Sequence, residues 1–154
     1  MFHVILFQPQ IPPNTGNIIR LCANTGAKLH LIKPLGFDLD DKNLRRAGLD
    51  YHEYAEVRQY ENLPDFINTV NPARIFACST KGKYNHAQVK FNPSDALLFG
   101  AETSGLPAEL LEQFDLANII RIPMLAHSRS LNLSNSVAVI LYEALRQNDF
   151  MGLG

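Results

Sequence analysis

Three short stretches of the chain are rich in polar side chains that could contact a ligand. The first contains Asn14, Asn17 and Arg20, the second contains Glu102, and the third is SRSLNLSNS at 128–136. In the third stretch, six of nine residues are Ser or Asn. Capping a helix needs only one such residue, so the surplus points to ligand binding. Because most of these groups are neutral, they suit an uncharged or cationic ligand better than a polyphosphate.

The common phosphate-binding loops are absent from the sequence. Gly100 and Gly105 have the spacing of a P-loop, but Leu106 and Pro107 occupy the positions of its Lys and Ser/Thr. Residues 8–20 contain a single glycine and do not form a G-x-G-x-x-G dinucleotide fingerprint. The sequence therefore argues against nucleoside triphosphate chemistry.

Serine hydrolysis and metal catalysis are also disfavoured. Ser104 does not lie in a G-x-S-x-G elbow, because Glu102 occupies the position of the first glycine. The histidines are scattered along the chain without the spacing of metal ligands, at positions 3, 30, 52, 86 and 127. We expect no metal site.

Short apolar runs alternate with longer amphipathic ones, a pattern that predicts an α/β fold with a mostly parallel sheet flanked by helices. Strands are predicted at 4–7, 29–32, 54–57, 74–78, 96–99 and 118–122. Helices are predicted at 14–26, 41–47, 63–70, 107–114 and 133–147, the first with Asn14 as its N-cap. Ligands of such sheets bind beyond the carboxyl ends of the strands, where the polar stretches fall.

Composition predicts a single domain over 1–154, with 46% hydrophobic and 19% charged residues. The net charge is −1, so any nucleic-acid contact must come from a local basic patch. Cys22 and Cys78 lie in apolar runs and are expected to be reduced thiols. No apolar run approaches the roughly 20 residues of a membrane span, and no signal peptide is recognisable. We expect a soluble, cytoplasmic protein without a membrane partner.

The last predicted helix carries an apolar stripe that is expected to pack into the core. Val139 and Tyr142 lie partly off this stripe. They leave apolar surface that could bury a second copy of the chain.

Three motifs together resemble the SPOUT-class RNA methyltransferases: NTGNIIR at 14–20, LLFGAETSGLP at 97–107 and IRIPMLAHSRSLNLSNSVAVILYEALR at 120–146. Their order and separation match, and the short length is similar to the stand-alone tRNA wobble-nucleotide 2′-O-methyltransferases. The resemblance implies a fold with a C-terminal trefoil knot, a homodimer, and S-adenosylmethionine as methyl donor. It further implies methyl transfer to the ribose 2′-hydroxyl of a cytidine or uridine in the tRNA anticodon loop.

The resemblance also implies which residues form the site. The methyl donor would be held by Cys78, Gly100, Glu102, Ile122, Ser130 and Leu131. Of these, Cys78 and Ile122 would act through backbone groups. The polar active-site positions of the family correspond to Asn14, Arg20, Glu102, Ser130 and Asn132.

Arg20 is the residue that we expect to matter most for catalysis. A guanidinium stays protonated below about pH 12, so we favour a clamp on the neighbouring phosphate over a general base. Contacts with RNA are expected from Arg20, Arg129, Lys42, Arg45 and Arg46. Ala101 and Ser104 replace a Pro and an Arg that close relatives usually carry, which is expected to change how this loop contacts RNA.

Other functions remain open from sequence alone. The chain could be a non-catalytic nucleotide- or RNA-binding module of the same fold. It could also methylate a ribose at another tRNA or rRNA position. The α/β alternation by itself would also permit an NAD-dependent oxidoreductase.

Overall fold

The computed structural model describes residues 1–154 and contains a seven-stranded sheet. The strands are β1 His3–Phe7, β2 Lys28–Ile32, β3 Arg58–Tyr60, β4 Ile75–Cys78, β5 Tyr84–Asn85, β6 Ala96–Phe99 and β7 Ile119–Arg121. The helices are α1 Pro12–Thr25, α2 Asp41–Arg46, α3 Tyr51–Tyr54, α4 Leu63–Val70, α5 Ala108–Leu111 and α6 Leu133–Gln147, with a 3₁₀ turn at Leu116–Asn118. The spatial order of the strands is β3-β2-β1-β6-β4-β7-β5, and every strand pair is parallel.

Helices cover both faces of the sheet, and a hydrophobic cluster lies under each. Leu6 of β1 packs in one cluster with Ile18 of α1 and Val137 of α6. Ile5 points to the other face and shares a cluster with Phe66 of α4. Because successive side chains of a strand alternate between the faces, a strand buried on both sides is apolar throughout. This confirms the α/β fold predicted from the alternating apolar runs.

The predicted strand at 54–57 is wrong. Tyr51–Tyr54 forms α3, a single helical turn, and β3 begins later, at Arg58. The turn is stabilised from both sides: Glu53 N–H donates to the Asp50 carbonyl at 2.9 Å, and the Glu53 side chain accepts a hydrogen bond from Asp50 N–H at 2.8 Å. This reciprocal capping outweighs the β propensity of the aromatic residues.

The start of the first helix also differs from the prediction. Asn14 is not its N-cap, because α1 begins at Pro12 and Ile11 takes the N-cap position. Proline fits the first turn of a helix, where its missing N–H would have no partner. This frees the Asn14 side chain for contacts outside the helix. Gly26 follows the last turn with φ of 76°, as predicted.

None of the helices is long and apolar enough to span a membrane. Cys22 is buried in the core, and both cysteines are free thiols.

A buried chain of hydrogen bonds crosses β1, β2 and β3. His3 Nδ1 lies 3.0 Å from His30 Nε2, and His30 Nδ1 lies 2.9 Å from the Tyr60 hydroxyl. Burial is the main cause that lowers the pKa of His30 to about 3, and it also lowers the pKa of His3. The positive charge of Lys28 adds to both shifts. Both histidines are therefore neutral in the folded protein near neutral pH.

The two neutral histidines predict that the folded protein becomes less stable in acid. A histidine with a lowered folded pKa stabilises fully above its unfolded pKa of about 6.5, and this stability is lost as the pH falls toward the folded value. We expect the free energy of unfolding in urea to fall by about 1–2 kcal/mol between about pH 7.5 and about pH 5 because of these histidines. His30→Phe should flatten this dependence. An equal pH slope in the wild type and the variant would contradict the assignment.

Candidate active site

A cavity of about 260 Å³ opens at the carboxyl ends of β4, β6 and β7. Its walls are the ends of these strands and the segments that follow them, together with Ser130, Leu131, Leu133 and Ser136 around the start of α6. This is the edge at which parallel α/β sheets bind ligands. The polar stretch at 128–136 and the Glu102 loop thus meet at one place, as the sequence predicted.

All six residues predicted to hold a methyl donor line this cavity. They are Cys78, Gly100, Glu102, Ile122, Ser130 and Leu131. Burial raises the pKa of the Cys78 thiol, which therefore stays protonated. This is compatible with the expectation that Cys78 contributes backbone groups rather than a reactive side chain.

One wall of the cavity depends on close approach of backbone segments. A Cβ atom on Gly100 would collide with the backbone of Gly105 and Leu106. The loop folds back on itself because Gly105 N–H donates to the Ala101 carbonyl at 2.9 Å, and Gly105 has φ of 66°. A residue with a side chain at position 100 would push this wall apart.

Glu102 joins the loop after β6 to the start of α1. Its carboxylate accepts hydrogen bonds from the backbone N–H groups of Gln10 and Ile11, both at 2.8 Å, and from Asn14 Nδ2 at 3.2 Å. Asn132 Nδ2 then donates to Asn14 Oδ1 at 3.0 Å. Three of the predicted site residues therefore form one hydrogen-bonded chain.

Asn132 also caps α6. Its side-chain oxygen accepts hydrogen bonds from Ser134 N–H at 2.9 Å and Asn135 N–H at 3.3 Å. The chain of amides and carboxylate thus ends on backbone groups at both ends. These side chains fix the geometry of the cavity wall. Most of their hydrogen-bond donors and acceptors are already occupied, which leaves few for proton transfer.

Arg20 makes no hydrogen bond with the other predicted site residues of the same protein chain. It lies six residues after Asn14, about 240° around the helix axis, on the exposed side of α1. Its Nε donates to Glu53 Oε2 at 2.8 Å, and its Nη2 donates to Glu53 Oε1 at 3.3 Å and to the Gly48 carbonyl at 2.5 Å. The hydrogen bonding from Arg20 to the carboxylate, followed by the hydrogen bond from Asp50 N–H, lowers the pKa of Glu53 to about 2.

Glu53 was not predicted as a functional residue, because a strand was expected at 54–57. The signal that could have found it is the spacing Asp50-x-x-Glu53, which is typical of a capping box.

Arg20 lines a second cavity, of about 350 Å³, between α1 and the segment 37–49. The α2 helix borders this cavity through Asn43 and Leu44, and Ala47 directly after the helix also lines it. The cations predicted to contact RNA fall into two groups. Lys42, Arg45 and Arg46 lie exposed on α2, whereas Arg129 lies exposed beside Ser130 of the first cavity.

No group of three or more His, Cys, Asp or Glu side chains is placed to hold a metal ion.

The SpoU rRNA Methylase family matches residues 1–142 of the chain. A tRNA (cytidine(34)-2′-O)-methyltransferase from Aeromonas hydrophila is 57% identical over 152 residues, which cover 99% of this chain and 97% of that protein. A protein of the same name from Escherichia coli K12 is 53% identical with the same coverage.

Solved structures agree with this family. One described by the words "Structural insights into the 2-OH methylation of C/U34 on tRNA" matches with a TM-score of 0.87 and 42% identity, covering 97% of each chain. The SpoU methyltransferase AviRb from Streptomyces viridochromogenes, in complex with AdoMet, matches with a TM-score of 0.81 and 25% identity, covering 96% of this chain and 57% of that one. The chain therefore belongs to the SpoU methylase family, which confirms the methyltransferase class that its three motifs predicted.

Proposed function

We propose that the protein transfers a methyl group from S-adenosylmethionine to the ribose 2′-hydroxyl of the wobble nucleotide of tRNA, a cytidine or uridine. The observation that carries this proposal is the 57% identity, over almost the whole chain, to a tRNA (cytidine(34)-2′-O)-methyltransferase. The match extends through all three motifs. A tRNA substrate also implies that the protein acts in the cytoplasm.

The first cavity fits a methyl donor that has both apolar and polar parts. Phe99, Leu106 and Ile140 supply apolar wall, while the strand ends and Ser130 supply hydrogen-bonding groups. Glu102 is the one carboxylate among the lining residues. S-adenosylmethionine carries the methyl group on a sulfonium, from which S-adenosylhomocysteine leaves readily as a neutral thioether. We therefore propose that no metal takes part.

The chain's own residues then have two tasks. The Glu102, Asn14 and Asn132 chain holds the cavity wall in one geometry, which aligns the reacting groups. Arg20 lies outside this cavity, so we assign it to the RNA. Its protonated guanidinium would hold a phosphate of the RNA.

We further propose that the chain folds as one domain and forms a homodimer. Val139 and Tyr142 of α6 are 40% and 44% exposed, so the helix presents apolar surface on the side away from the core. A second copy of the chain would cover this surface. Dimerisation would also double the number of basic groups that can contact the RNA. This matters because the net charge of one chain is only −1.

Incubation with labelled S-adenosylmethionine and bulk tRNA tests the activity. We expect label on tRNA, and mapping should place it on the ribose of nucleotide 34. Label at another ribose would favour the alternative 2′-O-methylation site. Binding of S-adenosylmethionine without any transfer to RNA would favour a non-catalytic binding module.

Arg20→Ala should lower tRNA methylation by at least about 100-fold, because it removes the proposed phosphate contact. The affinity for S-adenosylmethionine, measured by calorimetry, should stay within about twofold, since Arg20 lies outside the first cavity. Arg58→Ala, an exposed arginine on β3, serves as the matched control and should methylate like the wild type. Full turnover by Arg20→Ala would contradict the assignment.

Gly100→Ala should weaken S-adenosylmethionine binding by at least about tenfold, because the added methyl displaces the cavity wall at Gly105 and Leu106. Gly16→Ala is the matched control, since a methyl at Gly16 meets open space within a helix. It should leave the calorimetric affinity unchanged and raise the free energy of unfolding by about 0.5–1 kcal/mol. Unchanged affinity in Gly100→Ala would count against this cavity as the binding site.

A further inference from the structure

We propose that Glu53 is a positioning residue for Arg20 and determines which edge of the Arg20 guanidinium is available to RNA. This inference rests on the function proposed above, in which Arg20 contacts the RNA substrate. It adds a residue outside the three motifs, on a helical turn that packs against α1.

Arg20 and Glu53 form a fork-shaped ion pair with two hydrogen bonds. Glu53 occupies Nε and Nη2 of Arg20 with its two carboxylate oxygens, and the Gly48 carbonyl takes a second hydrogen from Nη2. Nη1 makes no hydrogen bond within the protein. One edge of the guanidinium is therefore fixed to the protein, and the N–H donors of Nη1 are left for a ligand.

Glu53 is itself held in place. Its Oε1 accepts a hydrogen bond from Asp50 N–H at 2.8 Å, which closes the capping box of α3. Its side chain is 10% exposed, whereas that of Arg20 is 51% exposed. The carboxylate is thus an anchored group and the arginine the one that reaches into solvent. An arginine ordered before binding loses less side-chain entropy when it meets its ligand.

The charges around Arg20 also favour this role. Glu53 neutralises much of its charge, and Asp38 lines the same second cavity. Arg20 therefore acts less through a broad positive field than through oriented N–H donors. Such donors suit an anionic RNA oxygen at a defined position, and their direction depends on Glu53.

Glu53→Gln is the variant that separates positioning from structure. A glutamine keeps an oxygen for the capping box but loses the charge and the second acceptor of the fork. We expect its turnover on tRNA to fall at least about tenfold, with S-adenosylmethionine affinity within about twofold of the wild type. Glu56→Gln, an exposed carboxylate on the same segment, is the matched control and should be unaffected.

A double-mutant cycle with Arg20→Ala then tests whether Glu53 acts through Arg20. In the Arg20→Ala background, Glu53→Gln should reduce the residual rate by less than about twofold. An equal loss in both backgrounds would mean that Glu53 acts independently, and wild-type turnover by Glu53→Gln would mean that it does not act at all. Either result overturns the inference.

A spectroscopic measurement on the free protein gives a readout that does not depend on activity. The Arg20 Nε–H signal, assigned by its loss in Arg20→Lys, should exchange slowly with water in the wild type and rapidly in Glu53→Gln. Equal exchange in both would overturn the inference. If the wild type fails to methylate tRNA, the proposed function fails and this inference with it. If the wild type and Glu53→Gln are equally active, only the inference fails.

Discussion

The rest of the site depends on the hydrogen bonds that the Glu102 carboxylate accepts. This carboxylate lies on the loop after β6 yet takes the backbone N–H groups of Gln10 and Ile11, at the start of α1. Those donors have no helical partner, and a negative charge at a helix N-terminus is stabilising. Hydrogen bonds to a charged group contribute roughly 1.5–3 kcal/mol each. One side chain therefore ties together segments that are some ninety residues apart.

The proposed function divides two tasks between the two cavities. The first cavity gathers apolar wall and strand-end backbone groups, which suit the methyl donor. Arg20 lines the second cavity, and α2, which carries exposed cations, borders it, so we assign this region to the RNA. The link between the two cavities is α1, because Asn14 is hydrogen-bonded to Glu102 of the first cavity and Arg20 lines the second.

The sequence predicts those elements that consist of a continuous run of apolar residues or of apolar residues at helical spacing. The buried strands β1, β2, β4 and β6 and the amphipathic α6 were placed within one or two residues. By contrast, α3 has the sequence YHEY and β5 the sequence YN, and neither contains a continuous apolar run such as those of β4 and β6. The pairing of Arg20 with Glu53 was missed for another reason. It depends on how two helices are placed in space, which no local pattern encodes.

The central claim is that polar segments distant in the chain converge on a pocket for the methyl donor, beside β4, β6 and β7. A crystal structure with S-adenosylhomocysteine, the product left after transfer, examines this most directly. We expect electron density for the compound between Gly100, Ile122 and Leu131, with the hydrogen bonds from the start of α1 to Glu102 intact. Density at the second cavity instead, or a protein that crystallises without the compound at saturating concentration, would contradict it.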